Sequence, residues 1–498
     1  MNVVVRNGLS LISSQATTML IALLMLVIVP DYLGEVDFGR FAYSLTFVGL
    51  FGFVGTFGTT MYLTKVTARD PSLIGPYIYS TIVLKLLLAV ALSAAALGLA
   101  TVLGYERQTM LLIVAACVAM TITLVNETVV AGLHGQQRMG KPAAWGVAGQ
   151  AAAATFGVIA VLMNAGVVVY AFVIVPAALI PLIANLSSVR SDLRQAGRLD
   201  VGVWRVVLAG GLPFLVMGAI QIVYGSIDMV MLRPMTNNAT VGWYALAYRW
   251  ITLPVIFAST AMLAIFPALS VHSLEDRDRF SRLANRALMF VAFIGFPAAA
   301  GIALVAEDII SMTYGGQFQE TIPLMRILAV SIPIVVIDMV LGMVMIASDR
   351  QKQWVIIGAA AAILNPAVNL FAIPYTVDRY GNGAIGAATA TVLTELVMFG
   401  GAIYFLPRGV MDRATTSFLL RCLAAVSTMA LVVLALGDIP FAAKIAVGVL
   451  TYAAAAVIFR LATRAEFEWY RAQLRGRSAP PASSPASPIP IPTSTPVE

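Results

Sequence analysis

Seven ionisable residues interrupt the long apolar stretches of this chain: Lys85, Glu127, Asp228, Arg249, Arg326, Asp338 and Glu395. A charge near the centre of a bilayer costs on the order of 3 kcal/mol even on a lenient scale, so such residues face a polar cavity, a partner or the interface. At 1.5 Å per residue, Arg249 and Glu395 fall nearest the middle of their stretches. Asp228 and Arg326 lie toward one end, and Lys85, Glu127 and Asp338 toward the other. The chemistry available to them is holding and moving charge, because no bond-making constellation is present. The two histidines, His134 and His272, both fall in loops. There is no Walker loop, HExxH helix, GxSxG elbow or carboxylate pair. Cys117 and Cys422 each sit inside an apolar run and read as small packing residues, with no disulfide or CxxC metal site.

Residues of this kind need elements to position them, and composition says which. Of 498 residues, 60% are hydrophobic and 11% charged, against roughly 25% charged in soluble domains. A chain this long and this poor in charge cannot cover a globule with polar surface, so its solvent is lipid. Apolar runs of about 20 residues fit helices crossing ~30 Å of hydrocarbon, not the short alternating segments of a barrel. The net charge of +7 is a topology signal rather than a sign of nucleic acid. The first apolar run is too long for a secretory signal and has no A-x-A site after it.

Fourteen spans are expected: 7–30, 39–63, 77–103, 109–132, 142–163, 166–187, 206–232, 240–268, 284–305, 321–347, 353–375, 383–406, 416–436 and 440–459. With the amino terminus inside, 23 of the 31 Lys and Arg fall on the inner side, five on the outer side and three within spans. That bias places both termini in the cytoplasm.

The chain also repeats itself. Asn7-Gly8-Leu9-Ser10-Leu11 aligns with Gly210-Gly211-Leu212-Pro213-Phe214, and Asp37-Phe38-Gly39-Arg40-Phe41-Ala42 with Thr240-Val241-Gly242-Trp243-Tyr244-Ala245, both at an offset of 203. Farther on, Gly135-Gln136-Gln137-Arg138 aligns with Ala347-Ser348-Asp349-Arg350 at 212, which sets Asn126 opposite Asp338. Such self-similarity marks a duplication. Six spans per copy is an even number, so both copies insert the same way up. The expected fold is an all-α polytopic membrane protein of 14 transmembrane helices. It has two parallel six-helix lobes, 1–198 and 199–407, and two C-terminal helices in 408–463. Residues 464–498 form a Pro/Ser-rich tail, with seven prolines in its last 21 residues, expected to be disordered and cytoplasmic.

Some local features carry two readings. Glu127, Asp228 and Arg326 are about one turn from a span end and could snorkel. Lys85, Arg249, Asp338 and Glu395 favour a cavity or pairing role, including an Arg249 salt bridge to Asp228 or Glu395. Tyr77, Thr81 and Lys85 recur every four residues and give span three a polar face. Gly49, Gly52, Gly55 and Gly58 form a stripe expected to pack closely against another helix. Pro213 with Gly210-Gly211 is expected to loosen the start of span seven, and Pro254 and Pro366 to kink theirs.

The motifs Asp37-Phe38-Gly39-Arg40-Phe41, Asp228 with Val241-Gly242-Trp243-Tyr244 and Tyr248-Arg249, and Asp349-Arg350 followed by Asn365 and Asn369 carry a resemblance. Over residues 5–460 the chain resembles the polysaccharide-repeat-unit flippases (Wzx type) of the multidrug/oligosaccharidyl-lipid/polysaccharide exporter superfamily. The resemblance implies a transporter, not an enzyme, in the bacterial inner membrane. Its substrate would be an undecaprenyl-diphosphate-linked oligosaccharide, moved by alternating access. It implies membrane lipids around it, a polysaccharide polymerase and chain-length regulator as partners, and no nucleic acid. Arg249, Lys85 and Arg326 would contact the anionic substrate. Asp338, Glu395, Glu127 and Asp228 would couple or gate, with H+ or Na+ as the coupling cation and no other cofactor. Two siblings are alternatives. A lipid II flippase should carry several arginines lining its early spans, and span one has none after Arg6. A cation-coupled drug exporter should carry an acid in span one or seven. A polymerase should have a large outer loop, and the longest outer break is only 306–320.

Overall fold

The computed structural model describes residues 3–194, 199–275, 277–437 and 439–461, so the expected tail at 464–498 lies outside them. The described residues are helical throughout, with no strand. The helices are α1 (Val3–Thr56), α2 (Thr59–Arg69), α3 (Ile74–Val102), α4 (Arg107–Gly135), α5 (Gly140–Leu162), α6 (Val167–Phe172), α7 (Ile174–Ser188), α8 (Arg190–Arg194) and α9 (Val201–Met235). They continue with α10 (Asn238–Glu275), α11 (Arg277–Tyr314), α12 (Thr321–Ala329), α13 (Ser331–Ala347), α14 (Gln351–Tyr380), α15 (Gly383–Tyr404), α16 (Arg413–Ala435) and α17 (Phe441–Ile458). Eleven helical stretches are long and apolar enough to cross a membrane, and a twelfth is the bent pair Val201–Val216 and Gly218–Met235 within α9.

Helix side chains are sorted by size rather than by polarity. On α3, Ala89, Ala96 and Ala100 are buried while Leu87 and Val90 point outward, 55% and 68% exposed. Lipid solvates leucine as well as another helix does, so small residues go where backbones must approach. Buried hydroxyls satisfy themselves locally: Thr67, Thr128 and Thr394 each donate to the carbonyl four residues earlier.

Breaks in the helices fall where the backbone demands them. In α1, Pro30 removes one amide donor, and Gly34 takes a left-handed φ of 70° that splits the stretch in two. A second break, at Phe57 and Gly58 (φ 48° and 63°), separates α1 from α2. Asp70 turns the chain after α2 by accepting from the backbone and hydroxyl of Ser72. Two expected single helices are each interrupted: α6 and α7 meet at Val173, and α12 and α13 at Val330. The bend in α9 is 45°, just after Pro213 and the paired glycines, while α14 runs on through Pro366.

The glycine stripe corrects one expectation. A Cβ on Gly49 would meet nothing, one on Gly52 or Gly55 would touch the ends of Met120 or Leu124, and one on Gly58 would strike the Gly211 backbone. Packing tightens along the stripe, and at Gly49 it is absent.

The chain divides into two compact units, Met1–Thr415 and Thr416–Glu498. In the second, Arg421 donates to the carbonyls of Phe459 and Arg460 at 3.3 and 3.1 Å. It thereby caps the end of α17.

Candidate functional site

Within the first unit, helices of the first copy meet helices of the second at two levels. At one level α1 crosses α10 through glycine. A Cβ on Gly39 would lie 1.8 Å from the Asn238 carbonyl oxygen, and one on Gly242 2.3 Å from that of Glu35. These are the two positions that the duplication sets in register. Nearby, the Glu35 carboxylate accepts from the Phe318 amide at 2.5 Å, and the Tyr314 hydroxyl donates to the Leu26 carbonyl at 2.9 Å. That carbonyl is free because residue 30, four positions on, is proline. At the other level the break at Phe57–Gly58 packs on the backbone of Gly211. There Trp204 Nε1 donates to the Ser80 carbonyl at 2.8 Å, and the Asp200 amide to the Ser80 hydroxyl at 3.2 Å.

Along α1, α9 and α10, between these levels, lies a cavity of about 240 Å³ lined by Thr46, Ser226, Met229, Tyr244, Tyr248 and Arg249, among others. Arg249 is its cation. The guanidinium sits over the Phe38 ring, 5.1 Å from its centroid, with Tyr170 and Tyr314 also within electrostatic reach. It pairs with neither Asp228 nor Glu395, and no carboxylate lies within salt-bridge distance among the described residues. Aromatic faces attract the cation without neutralising it, so its charge stays available to an anion in the cavity.

Asp228, on α9, is buried behind the cavity in a cage of donors. Its Oδ2 accepts from the Tyr244 and Thr391 hydroxyls, both at 2.8 Å, and its Oδ1 from Asn369 Nδ2 at 2.5 Å. Asn369 Nδ2 also reaches Asn365 Oδ1 at 2.9 Å, one helical turn away on α14. A carboxylate buried in a membrane helix is tolerable only with such partners. One acceptor, Asn369 Oδ1, is buried with no partner, so the cage has an oxygen to spare.

Asp338 and Glu395 make a second acidic region on α13 and α15. Both are buried, and they interact electrostatically. Neither oxygen of Asp338 has a hydrogen-bond partner. Tyr224 lies beside Glu395, its hydroxyl short of a hydrogen bond of normal geometry.

The remaining predicted residues sit elsewhere. Lys85 is 1% exposed. Its ammonium donates to the carbonyls of Gly55 and Thr56, both at 2.5 Å. These are orphan carbonyls at the end of α1, the negative end of its dipole, so Lys85 caps a helix. Glu127, half-buried on α4, interacts with Lys85 electrostatically. The polar face of span three is therefore packed against protein at Thr81 and Lys85. Arg326 is half exposed and pairs with Glu307 at 3.2 Å, away from the cavity. Tyr244, Thr391 and Tyr314 went unnoticed in the sequence as partners. Thr391 lies one turn before Glu395, and the one clue to Tyr314 was the proline at position 30.

Comparison with known proteins bears on the family and the fold. The family model described as "Polysaccharide biosynthesis protein" matches residues 4–272, and that described as "Lipid II flippase MurJ" matches residues 147–455. The succinoglycan biosynthesis transport protein ExoT of Rhizobium meliloti is 22% identical over 307 residues, 61% of each chain. The probable flippase AglR of Haloferax volcanii is 27% identical over 194 residues, 38% of this chain and 39% of its own. The chain thus spans less than two thirds of the length of these curated relatives. In fold it is similar to the lipid II flippase MurJ in an inward closed conformation, with a TM-score of 0.72 at 14% identity, covering 92% of this chain and 99% of that one. It is also similar to an inward-facing MATE family multidrug resistance transporter of the MOP superfamily, with a TM-score of 0.64 at 16% identity, covering 78% and 94%. The first family model alone takes in more than half of the sequence, and the chain belongs to the family described as polysaccharide biosynthesis protein.

Proposed function

We propose that this protein carries a lipid-linked oligosaccharide, with undecaprenyl diphosphate as its carrier, from the inner to the outer leaflet of the bacterial inner membrane. The observation that carries the reading is Arg249: an unneutralised cation in a cavity between the two copies, placed to receive a diphosphate or an acidic sugar. The reading takes fourteen spans, which requires counting the two parts of α1 on either side of Gly34 separately and adding α9 and α10. They make two like-oriented six-helix lobes and a C-terminal pair, with both termini cytoplasmic. Curated relatives named for succinoglycan and teichuronic acid biosynthesis fit the same substrate class. A polymerase and a chain-length regulator would take up the flipped unit.

Alternating access follows from the two levels of contact. Each level is held by a few hydrogen bonds worth about 1 kcal/mol apiece, plus bare backbone packing. A ligand that favours one arrangement by a few kcal/mol is enough to exchange which level is closed. The Asp228 cage is the coupling element in this reading. Its carboxylate, the Thr391 hydroxyl and the spare Asn369 oxygen form an all-oxygen donor set suited to H+ or Na+, and no other cofactor is invoked. Taking up the cation would release Tyr244, whose neighbour Tyr248 lines the cavity beside Arg249.

The test is a deletion strain in which the lipid-linked repeat unit is quantified. Accumulation that is cleared by the wild-type gene and not by Arg249→Ala, at equal protein abundance, is the expected result. Failure of any lipid-linked sugar to accumulate would move the protein to the cation-coupled drug exporters. Accumulation of lipid II would move it to the cell-wall flippases.

A further inference from the structure

We propose that the groove between α3, α7 and α8 binds the headgroup of an anionic phospholipid. This groove, about 500 Å³ in volume, lies apart from the Arg249 cavity and shares no residue with it. Its apolar part is made by Tyr79, Ile183, Leu186 and Leu193, its polar edge by Arg190 and Arg194. Ile183 and Tyr79 are open to the surroundings, 59% and 38% exposed, which leaves a track for acyl chains beside the two cations.

The short α8 is held in place by its apolar residues. Val189, just before it, is fully buried against Ile74, Ile78, Val129 and Leu133, and Leu193 packs on the same cluster. Arg138 reinforces the turn by donating to the Ser188 carbonyl at 3.4 Å. With that side pinned, Arg190 and Arg194, four residues apart, share the outward face. Asp192, two residues from each, belongs to another face. Both guanidinium groups are exposed, and among the described residues neither has an ion pair or a hydrogen bond. A guanidinium fork matches phosphate oxygens, and basic clusters beside spanning helices attract anionic leaflets.

A membrane phospholipid, rather than the transported diphosphate, is the occupant that fits. The groove shares no lining residue with the Arg249 cavity, and its Ile183 and Tyr79 are open to the surroundings. Its volume suits a headgroup and its first methylenes, not an oligosaccharide. Two arginines beside one aspartate leave a net charge of +1, which balances a phosphodiester of one negative charge.

The experiment uses the full-length protein in neutral detergent, with short-chain phosphatidylglycerol and phosphatidylcholine as probes, read by native mass spectrometry and by thermal unfolding. Phosphatidylglycerol is expected to bind roughly thirtyfold more tightly than phosphatidylcholine, about fivefold for each arginine, and to raise the unfolding midpoint. Arg190→Gln/Arg194→Gln should remove the preference and Arg190→Lys/Arg194→Lys should restore most of it. Arg249→Gln should leave it unchanged, which keeps this site distinct from the transport cavity. Equal binding of the two lipids, an unaltered preference in the Gln variant, or failure of a folded Lys variant to regain it would each overturn the proposal. So would displacement of phosphatidylglycerol by a soluble isoprenyl diphosphate at equal concentration. If the Gln variant does not fold, loss of the wild-type preference between low and high salt is the supporting result, and salt-independence the overturning one.

Discussion

The two sequence repeats align at their motifs and differ in their chemistry. At the offset of 203 that aligns Gly39 with Gly242, the first copy has Met25 where the second has Asp228, and Thr46 where the second has Arg249. At the offset of 212 it has Asn126 where the second has Asp338. Asn126 accepts a 3.0 Å hydrogen bond from Asn185, while Asp338 has no hydrogen-bond partner among the described residues. Thr46 and Arg249 line the same cavity from its two sides. The crossing and the cavity wall thus draw on both copies, whereas at these three paired positions the charge sits in the second. At the cavity the first copy supplies the neutral Thr46 and the second the charged Arg249.

That division can be tested by matched substitutions. Arg249→Ala should lower flipping at least about thirtyfold, the scale of removing one side of a desolvated charge contact. Thr46→Ala at the paired position should cost less than about threefold, since a neutral hydroxyl contact carries under 1 kcal/mol; equal losses in a vesicle assay would erase the distinction. Asp228→Ala should destabilise the protein by about 3–5 kcal/mol, because three aimed donors lose their acceptor. Asp338→Asn should leave the unfolding midpoint unchanged or raise it, as it removes a carboxylate that nothing stabilises. Thermal unfolding in detergent compares the two.

The cations sharpen the point at smaller scale. Lys85→Met should lower stability by about 1.5–3 kcal/mol, the worth of charged hydrogen bonds to the end of α1, and yet preserve flipping per folded molecule. Gly39→Ala and Gly242→Ala should cost about 1–3 kcal/mol each and to similar extents, since both drive a methyl into backbone. Gly49→Ala, with open space around it, should be silent. Tyr314→Phe should cost about 1 kcal/mol and increase labelling of a cysteine placed beside Phe318, as that level of contact parts more often.

Hydropathy made the lipid-facing helices legible, and the repeated motifs pointed to Gly39 and Gly242 before their contact was seen. That these two glycines touch is visible only in the structure. Lys85 shows where reading along the chain stops. Its i, i+4 companions suggested a lining face, and its real partner is the end of a helix thirty positions earlier, exposed by a break at Phe57–Gly58 that periodicity does not register. Arg326 looked intramembrane by position alone, and its Glu307 partner lies on a preceding helix whose rotation the sequence does not encode locally. The Asp228 cage draws on α9, α10, α14 and α15. Asn365 and Asn369 stood out as polar residues in an apolar run, and Thr391 did not, since a threonine in a membrane helix ordinarily bonds its own backbone.

The glycine crossing also bears on speed. Where two helices mesh by interlocked knobs, separating them means unseating side chains one after another, each in its own rotamer. Bare backbone sliding on bare backbone has no teeth to disengage. In the proposed alternating access the pace of opening at such a bearing would fall to the polar latches on either side, Tyr314 with Leu26 and Glu35 with Phe318.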